Sequence, residues 1–360
     1  MLNFASLALS APALLMPPVS AECDVDLELQ PPLRSLTPAS GIKYGCAGGG
    51  PTVQHDRVLL DKFATEANIF VPEGALKWAF TEPQPGQFDF SEADSIADFA
   101  ARHEMLIHGH TLVWYATIPE WVSQLTTAKD ATAALERHIT TEVQRYRGKI
   151  WAWDVVNEPI EPKDHLENGY RNSVWLRCLG INYVDLAFRL ARAADPATPL
   201  SLNEYGIEYA TAECQRKREA TLGLLQKLRD LKTPIDCFGL QSHLQAENTF
   251  DHRGLTEFIR SVVKLGYRVM ITELDVNDWK IPGTVEERDV TVARHAAEYL
   301  DIVFSVARPM SIATWGLSDR YTWMRMYFKR TDGSPLRPLP LDLNYRRKRM
   351  WSALAGAMAA

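Results

Sequence analysis

Residues 151–158 read Trp-Ala-Trp-Asp-Val-Val-Asn-Glu, and residues 269–275 read Val-Met-Ile-Thr-Glu-Leu-Asp. Each is a short, mostly apolar run that meets a glutamate, Glu158 or Glu273, as it gives out. A parallel strand covered on both faces has this character, and groups at its C-terminal end emerge where barrel enzymes keep their chemistry. Two carboxylates delivered in this way from different strands form a candidate acid–base or acid–nucleophile pair.

Working outward, similar strand patterns recur near Gly41–Cys46, Ile69–Glu73, Met105–His110, Trp151–Glu158, Leu200–Glu204, Cys237–His243, Val269–Leu274 and Ser311–Leu317. Helical patterns fill the gaps. Ser91–His103 is one, with Ser91 expected as the cap and Glu92 and Asp94 in the first turn. Val184–Ala194 and Arg216–Leu231 are others, each followed closely by a proline. Eight strand–helix alternations predict a single-domain (β/α)8 TIM barrel. A doubly wound open sheet is the competing architecture, but Gly48-Gly49-Gly50 is followed by Pro51 and not by the helix start that a phosphate turn requires. On a barrel, Glu158 belongs to the fourth strand and Glu273 to the seventh.

The flanking regions are read separately. Residues 1–21 have the apolar, small-residue pattern of a secretory signal peptide, which implies an exported protein, periplasmic or extracellular. No Lys or Arg precedes Arg34, so a basic segment is expected upstream of Met1. Residues 22–40 are read as a linker or N-terminal cap, and residues 41–357 as the (β/α)8 domain. Five cysteines without CxxC spacing argue against a zinc ribbon or redox motif.

Among 360 residues, 46% are hydrophobic and 23% charged, and the net charge is -6. Nothing in that balance favours a nucleic-acid backbone or an anionic membrane, and a monomer is expected. The basic run Arg346-Arg347-Lys348-Arg349 is expected to be a solvated helix face. The ten tryptophans and twelve tyrosines are more telling, because aromatic faces near strand ends serve as platforms for sugar rings. Trp114, Trp121, Trp315 and Trp323 all follow strand ends.

Other polar residues cluster beside the glutamates. Asn157 precedes Glu158 and offers an amide to a substrate hydroxyl. Period-two alternation places Gln241 and His243 on one face at the end of the sixth strand, where His243 can orient Glu273. His108 and His110 form an HxH pair on the third strand, which keeps a metal-dependent hydrolase as a rival reading; the alternative is that one faces the pocket and the other packs behind it.

The segments GHTLVW (109–114), WDVVNEP (153–159), GLQSHL (239–244), ITELDV (271–276) and TWGLSD (314–319) resemble the signature strand ends of glycoside hydrolase family 10, chiefly endo-β-1,4-xylanases. Residues 71–90 resemble the family's second-strand motif, and the order is kept across residues 41–357. The resemblance implies a retaining endo-acting hydrolase of xylan, with Glu158 as acid/base, Glu273 as nucleophile and no metal or organic cofactor. It further implies that Lys77, His110, Trp114, Gln241 and Trp315 line the minus-one site. Asn157 would meet the 2-hydroxyl, His243 would bond the nucleophile, Glu73 would reach the next sugar, and Trp323 would cover the glycone side.

This chain departs from the family pattern at Gly74, at Tyr115-Ala116-Thr117, at Gly206 and in its basic C-terminal segment. These departures keep two alternatives in view: a related glycanase acting on decorated xylan or an exopolysaccharide, and a carbohydrate-binding protein on the same scaffold.

Overall fold

The computed structural model describes residues 26–360. The expected signal segment and Cys23 lie outside the described residues. Nine strands run in chain order: β1 (Lys43–Gly48), β2 (Ile69–Pro72), β3 (Leu106–Val113), β4 (Ile150–Asn157), β5 (Leu200–Glu204), β6 (Cys237–Leu240), β7 (His243–Gln245), β8 (Arg268–Asn277) and β9 (Ser311–Thr314). Every ladder between them is parallel. They pair in the order β6-β5-β4-β3-β2-β1-β9-β8-β7, and a direct β6–β8 pairing closes the ring. The structure is therefore a closed barrel of eight staves, in which β6 and β7 are two pieces of one stave.

Alternation along the staves decides what faces each way. Ala152, Cys237 and Met270 pack together in a small cluster, while their chain neighbours Trp153, Phe238 and Ile271 join the large core beneath the helices. Ile69 and Val71 likewise pack with Ala47, Ala313 and Trp315, whereas Phe70 joins the large core. Strands buried on both sides in this way must be apolar at nearly every position, which is why the sequence runs were legible.

The helices begin where short polar side chains satisfy free backbone N–H groups. Thr127 caps Ala128–Arg145, Thr211 caps Ala212–Asp230, and Thr284 forms a capping box with Glu287 ahead of Val285–Phe304. Ser91 is not the cap expected of it. The cap position falls on Phe90, and the Ser91 N–H donates instead to Asp89 Oδ1.

Three other expectations are corrected. The sixth strand does not run unbroken to His243, because Ser242 adopts a left-handed backbone (φ 66) that interrupts the ladder. The last strand stops at Thr314, where Gly316 (φ 118) turns the chain and a Cβ would come within 2.7 Å of Leu339. The basic run is not a wholly solvated face. Arg347 points inward to Glu66 (2.6 Å) and donates to the carbonyls of Leu27 and Gln30. Lys348 reaches Asp319 at 2.8 Å. Arg346 and Arg349 alone stay exposed. The same contacts make the described part of 22–40 a docked cap, with Leu33 buried and its N–H bonded to Glu66.

Among the described residues, no helix is long and apolar enough to cross a membrane. Cys46, Cys178, Cys214 and Cys237 are free thiols.

Candidate active site

Strand register brings the polar groups together. β4 and β5 pair with Asn157 opposite Asn203, β5 and β6 with Asn203 opposite Gly239, and β7 and β8 with His243 opposite Asp275. These pairs lie at the C-terminal ends of the staves, where Glu158 follows β4 and Glu273 lies within β8.

Asn203 is the hinge of the network. Its Oδ1 accepts the Thr272 hydroxyl (2.7 Å), which fixes the amide so that Nδ2 faces inward. Nδ2 then donates to Glu273 Oε1 (2.7 Å) and to Asn157 Oδ1 (3.0 Å). Asn157 Nδ2 donates in turn to Glu158 Oε1 (3.2 Å), as does Gln241 Nε2 (3.1 Å). The two carboxylates are thus joined through two amides. Gly239 makes this possible, since a Cβ there would lie 2.2 Å from Asn203 Oδ1.

Glu273 is buried, and burial alone would raise its carboxyl pKa. The bond from His243 and the charges of His110 and His243 outweigh that effect and hold the carboxyl below its ordinary value. His243 lies between two carboxylates, with Nε2 3.2 Å from Glu273 and Nδ1 2.8 Å from Asp275. Burial works against its charged form, but Asp275 and Glu273 prevail and push the imidazole well above its usual range. As an imidazolium it donates to both. Trp323 Nε1 donates to the second Asp275 oxygen (2.8 Å), so the Trp323 ring is tied to the same chain of bonds.

The HxH pair resolves by geometry. His110 Nδ1 bonds Asp154 (3.0 Å) and lies 4.0 Å from Glu273, at the pocket. His108 is buried on the other Asp154 oxygen (3.0 Å) and sits behind it. Burial would raise the Asp154 carboxyl, yet the two imidazoles hold it well below the carboxylate range. The pair therefore directs ring nitrogens at Asp154. Among the described residues no group of three or more His, Cys, Asp or Glu is arranged to hold a metal ion.

Of the remaining expected residues, Lys77 reaches over Trp114 (4.8 Å) and Trp315 (5.7 Å). Its ammonium pKa is depressed chiefly by burial, against the pull of Glu273 and Glu73. Burial raises the Glu73 carboxyl beside it. The Trp315 ring meets His110 edge-on at 5.1 Å, and Trp323 meets His243 at 5.2 Å. Asn157, Gln241, His243 and His110 lie within 4.0 Å of a glutamate carboxylate, and Trp114, Trp315 and Trp323 adjoin them through Lys77, His110 and His243. Trp121 lies apart, because it packs against Trp78 and bonds the Glu82 carbonyl.

Sequence reasoning gave no role to Asn203, Thr272, Asp154, Asp275 or Arg171. The two aspartates had a signal: each is a charged residue inside an apolar run, and buried charge requires a partner. Asn203 and Thr272 become visible only through register. Arg171 comes from a loop and offers no pattern.

Glu158 itself sits just past its strand with a left-handed backbone (φ 57), a conformation that costs a non-glycine residue about 1–3 kcal/mol. Its N–H bonds the Asn203 carbonyl (2.9 Å). Among the departures, Gly74 leaves space bounded by the exposed Phe80 (3.7 Å), and Tyr115 lies over Arg171 (4.1 Å). Gly206 is left-handed (φ 71), a conformation that asparagine also tolerates.

A parallel barrel that brings two buried carboxylates together at the C-terminal ends of its staves, with aromatic walls, defines a hydrolase of the paired-carboxylate class. The model of glycosyl hydrolase family 10 matches residues 32–357, and the chain belongs to that family. Endo-1,4-beta-xylanase 1 of Humicola insolens is 33% identical over 334 residues, covering 91% of this chain and 74% of that protein. Endo-1,4-beta-xylanase A of Phanerodontia chrysosporium is 35% identical, covering 79% of this chain and 66% of its relative. Among solved structures, xylanase 10B of Thermotoga petrophila RKU-1 in complex with xylobiose superposes with a TM-score of 0.82 at 29% identity, covering 91% and 97% of the two chains.

Proposed function

We propose that this protein hydrolyses internal β-1,4-xylosidic bonds of xylan with retention of configuration. The observation that carries the reading is the pair Glu158 and Glu273, linked through Asn157 and Asn203, with Glu273 held ionised by His243. The xylanase names of its relatives supply the polymer.

In the first step a Glu273 oxygen bonds the anomeric carbon as the glycosidic C–O bond breaks, and Glu158 gives its proton to the leaving oxygen. In the second, water attacks the same carbon, the ester bond to Glu273 breaks, and Glu158 takes the water proton. Retention requires carboxyls about 5–5.5 Å apart, too close to admit an inverting water. Asn157 meets the 2-hydroxyl. His110, Lys77, Gln241, Trp114 and Trp315 line the minus-one sugar, with Glu73 beyond it and Trp323 on the glycone side. All of this chemistry is supplied by side chains, so no cofactor is required. The apolar first 21 residues support export of the protein, which acts on its polysaccharide as a monomer.

Reducing-sugar release from a panel of xylans, β-glucans and mannans tests the reading, with Glu273→Ala as control. Xylan is expected to be cleaved and the variant to be inert. Identical behaviour of the two proteins on every polymer would overturn it.

A further inference from the structure

Arg171 touches the site without a part in the chemistry above. It is buried, and its Nε donates to the Glu158 carbonyl at 2.7 Å. Nη2 lies 3.6 Å from Glu158 Oε2, and the same nitrogen donates to the Tyr205 hydroxyl (2.9 Å) and approaches Glu161 Oε2 (3.4 Å). The Tyr205 hydroxyl donates to Glu161 (2.8 Å), which fixes that side of the guanidinium. Two rings enclose the cation, Tyr115 with its centroid at 4.1 Å and Tyr205 at 5.8 Å.

We infer that Arg171 is a positioning residue for the acid/base glutamate, and that Tyr115 is the cover that keeps its charge out of water. The inference rests on the proposed role of Glu158. A planar guanidinium can hold the carbonyl and approach the carboxylate of one residue at once, because its donors form a rigid fork. A lysine ammonium is a single point and cannot span both. Holding the carbonyl also holds the left-handed backbone of Glu158, which otherwise relaxes and carries the carboxyl off the leaving oxygen. A ring stacked on the cation excludes water, so solvent does not compete for the guanidinium donors that hold Glu158. Tyr115 belongs to the segment in which this chain departs from the family pattern.

The reaction offers a readout that a merely structural role would not move. Proton donation matters for a sugar leaving group and hardly at all for dinitrophenolate. Arg171→Met is expected to lower kcat/KM on xylo-oligosaccharides about a hundredfold. On a dinitrophenyl xylobioside the loss is expected to be no more than about threefold, since that step needs no proton. Arg171→Lys is expected to stay nearly as low as Arg171→Met, and full recovery by lysine would overturn the fork. Tyr115 is partly exposed, so its variants do not threaten folding. Tyr115→Ala should show the same selective loss at about tenfold, while Tyr115→Phe keeps the ring and the activity. Equal loss on both substrates in Tyr115→Ala, or equal effects of Phe and Ala, would overturn the inference. Glu158→Ala measured alongside separates the two claims. If it lacks leaving-group dependence, the acid/base reading falls; if it has that dependence and Arg171→Met does not, the positioning role alone falls.

Discussion

The surroundings of Glu273 and of Glu158 differ in kind, although two shared amides join them. Glu273 is enclosed by groups that favour its ionised form: the Asn203 amide, the raised His243 imidazole and, at 4.0 Å, His110. Behind these stand Asp275 and Asp154, each fixing one imidazole. Glu158 instead meets neutral amides from Asn157 and Gln241 on one oxygen, and the Arg171 guanidinium 3.6 Å from the other. Glu273 thus has an imidazolium against its carboxylate, whereas the partners of Glu158 are two amide donors and a guanidinium 3.6 Å away. This difference agrees with the roles proposed for the two glutamates, Glu273 as nucleophile and Glu158 as acid/base.

The largest effect expected from breaking this asymmetry is Glu273→Ala, which should remove at least about four orders of magnitude of kcat on every substrate, because no nucleophile remains. Initial rates on xylan and on an activated aryl glycoside check it, and retention of the aryl activity would count against the nucleophile. Glu158→Ala is expected to cost about 10²–10⁴ on xylan but to be rescued by azide with the activated substrate, since that leaving group needs no proton. Failure of rescue would assign the acid/base role elsewhere.

His243→Asn probes the charged side more finely. The His243 bond and charge oppose the burial that raises Glu273, so their loss lets its carboxyl pKa rise. The acid limb of kcat/KM should therefore move to higher pH, with a rate loss of about tenfold to a hundredfold at the optimum. An unmoved acid limb would mean that His243 does not govern the ionisation.

The smallest effect on catalysis should come from Arg347→Met, far from either carboxylate. Glu66 would be left buried without its cation, at a cost of about 3–5 kcal/mol. Thermal unfolding should shift downward while kcat stays constant. A changed kcat would show that the docked N-terminal cap reaches the site.

The barrel and both glutamates were legible because staves buried on two faces must be apolar almost throughout, so a carboxylate in or just past the run stands out from it. Gln241 and His243 both reach the glutamates, but not by the unbroken alternation expected, because a left-handed Ser242 breaks the strand between Leu240 and His243. Asn203 was not legible, because its importance depends on facing Asn157 across one ladder and on Gly239 leaving it room across the next. The basic run misled for a related reason. Charge in a sequence reads as solvated, whereas Arg347 and Lys348 find buried acids that lie far away in the chain.

By itself, then, the sequence determined the periodic alternation, the two carboxylates and the motifs around them, since these are local patterns imposed by burial. Only the tertiary structure decided that Glu273 lies against His243 and Asn203, while Glu158 meets the amides of Asn157 and Gln241 and the Arg171 guanidinium. Those properties arise from charges and dipoles a few ångströms apart in space but tens of residues apart in sequence, and register and loop placement alone set those distances.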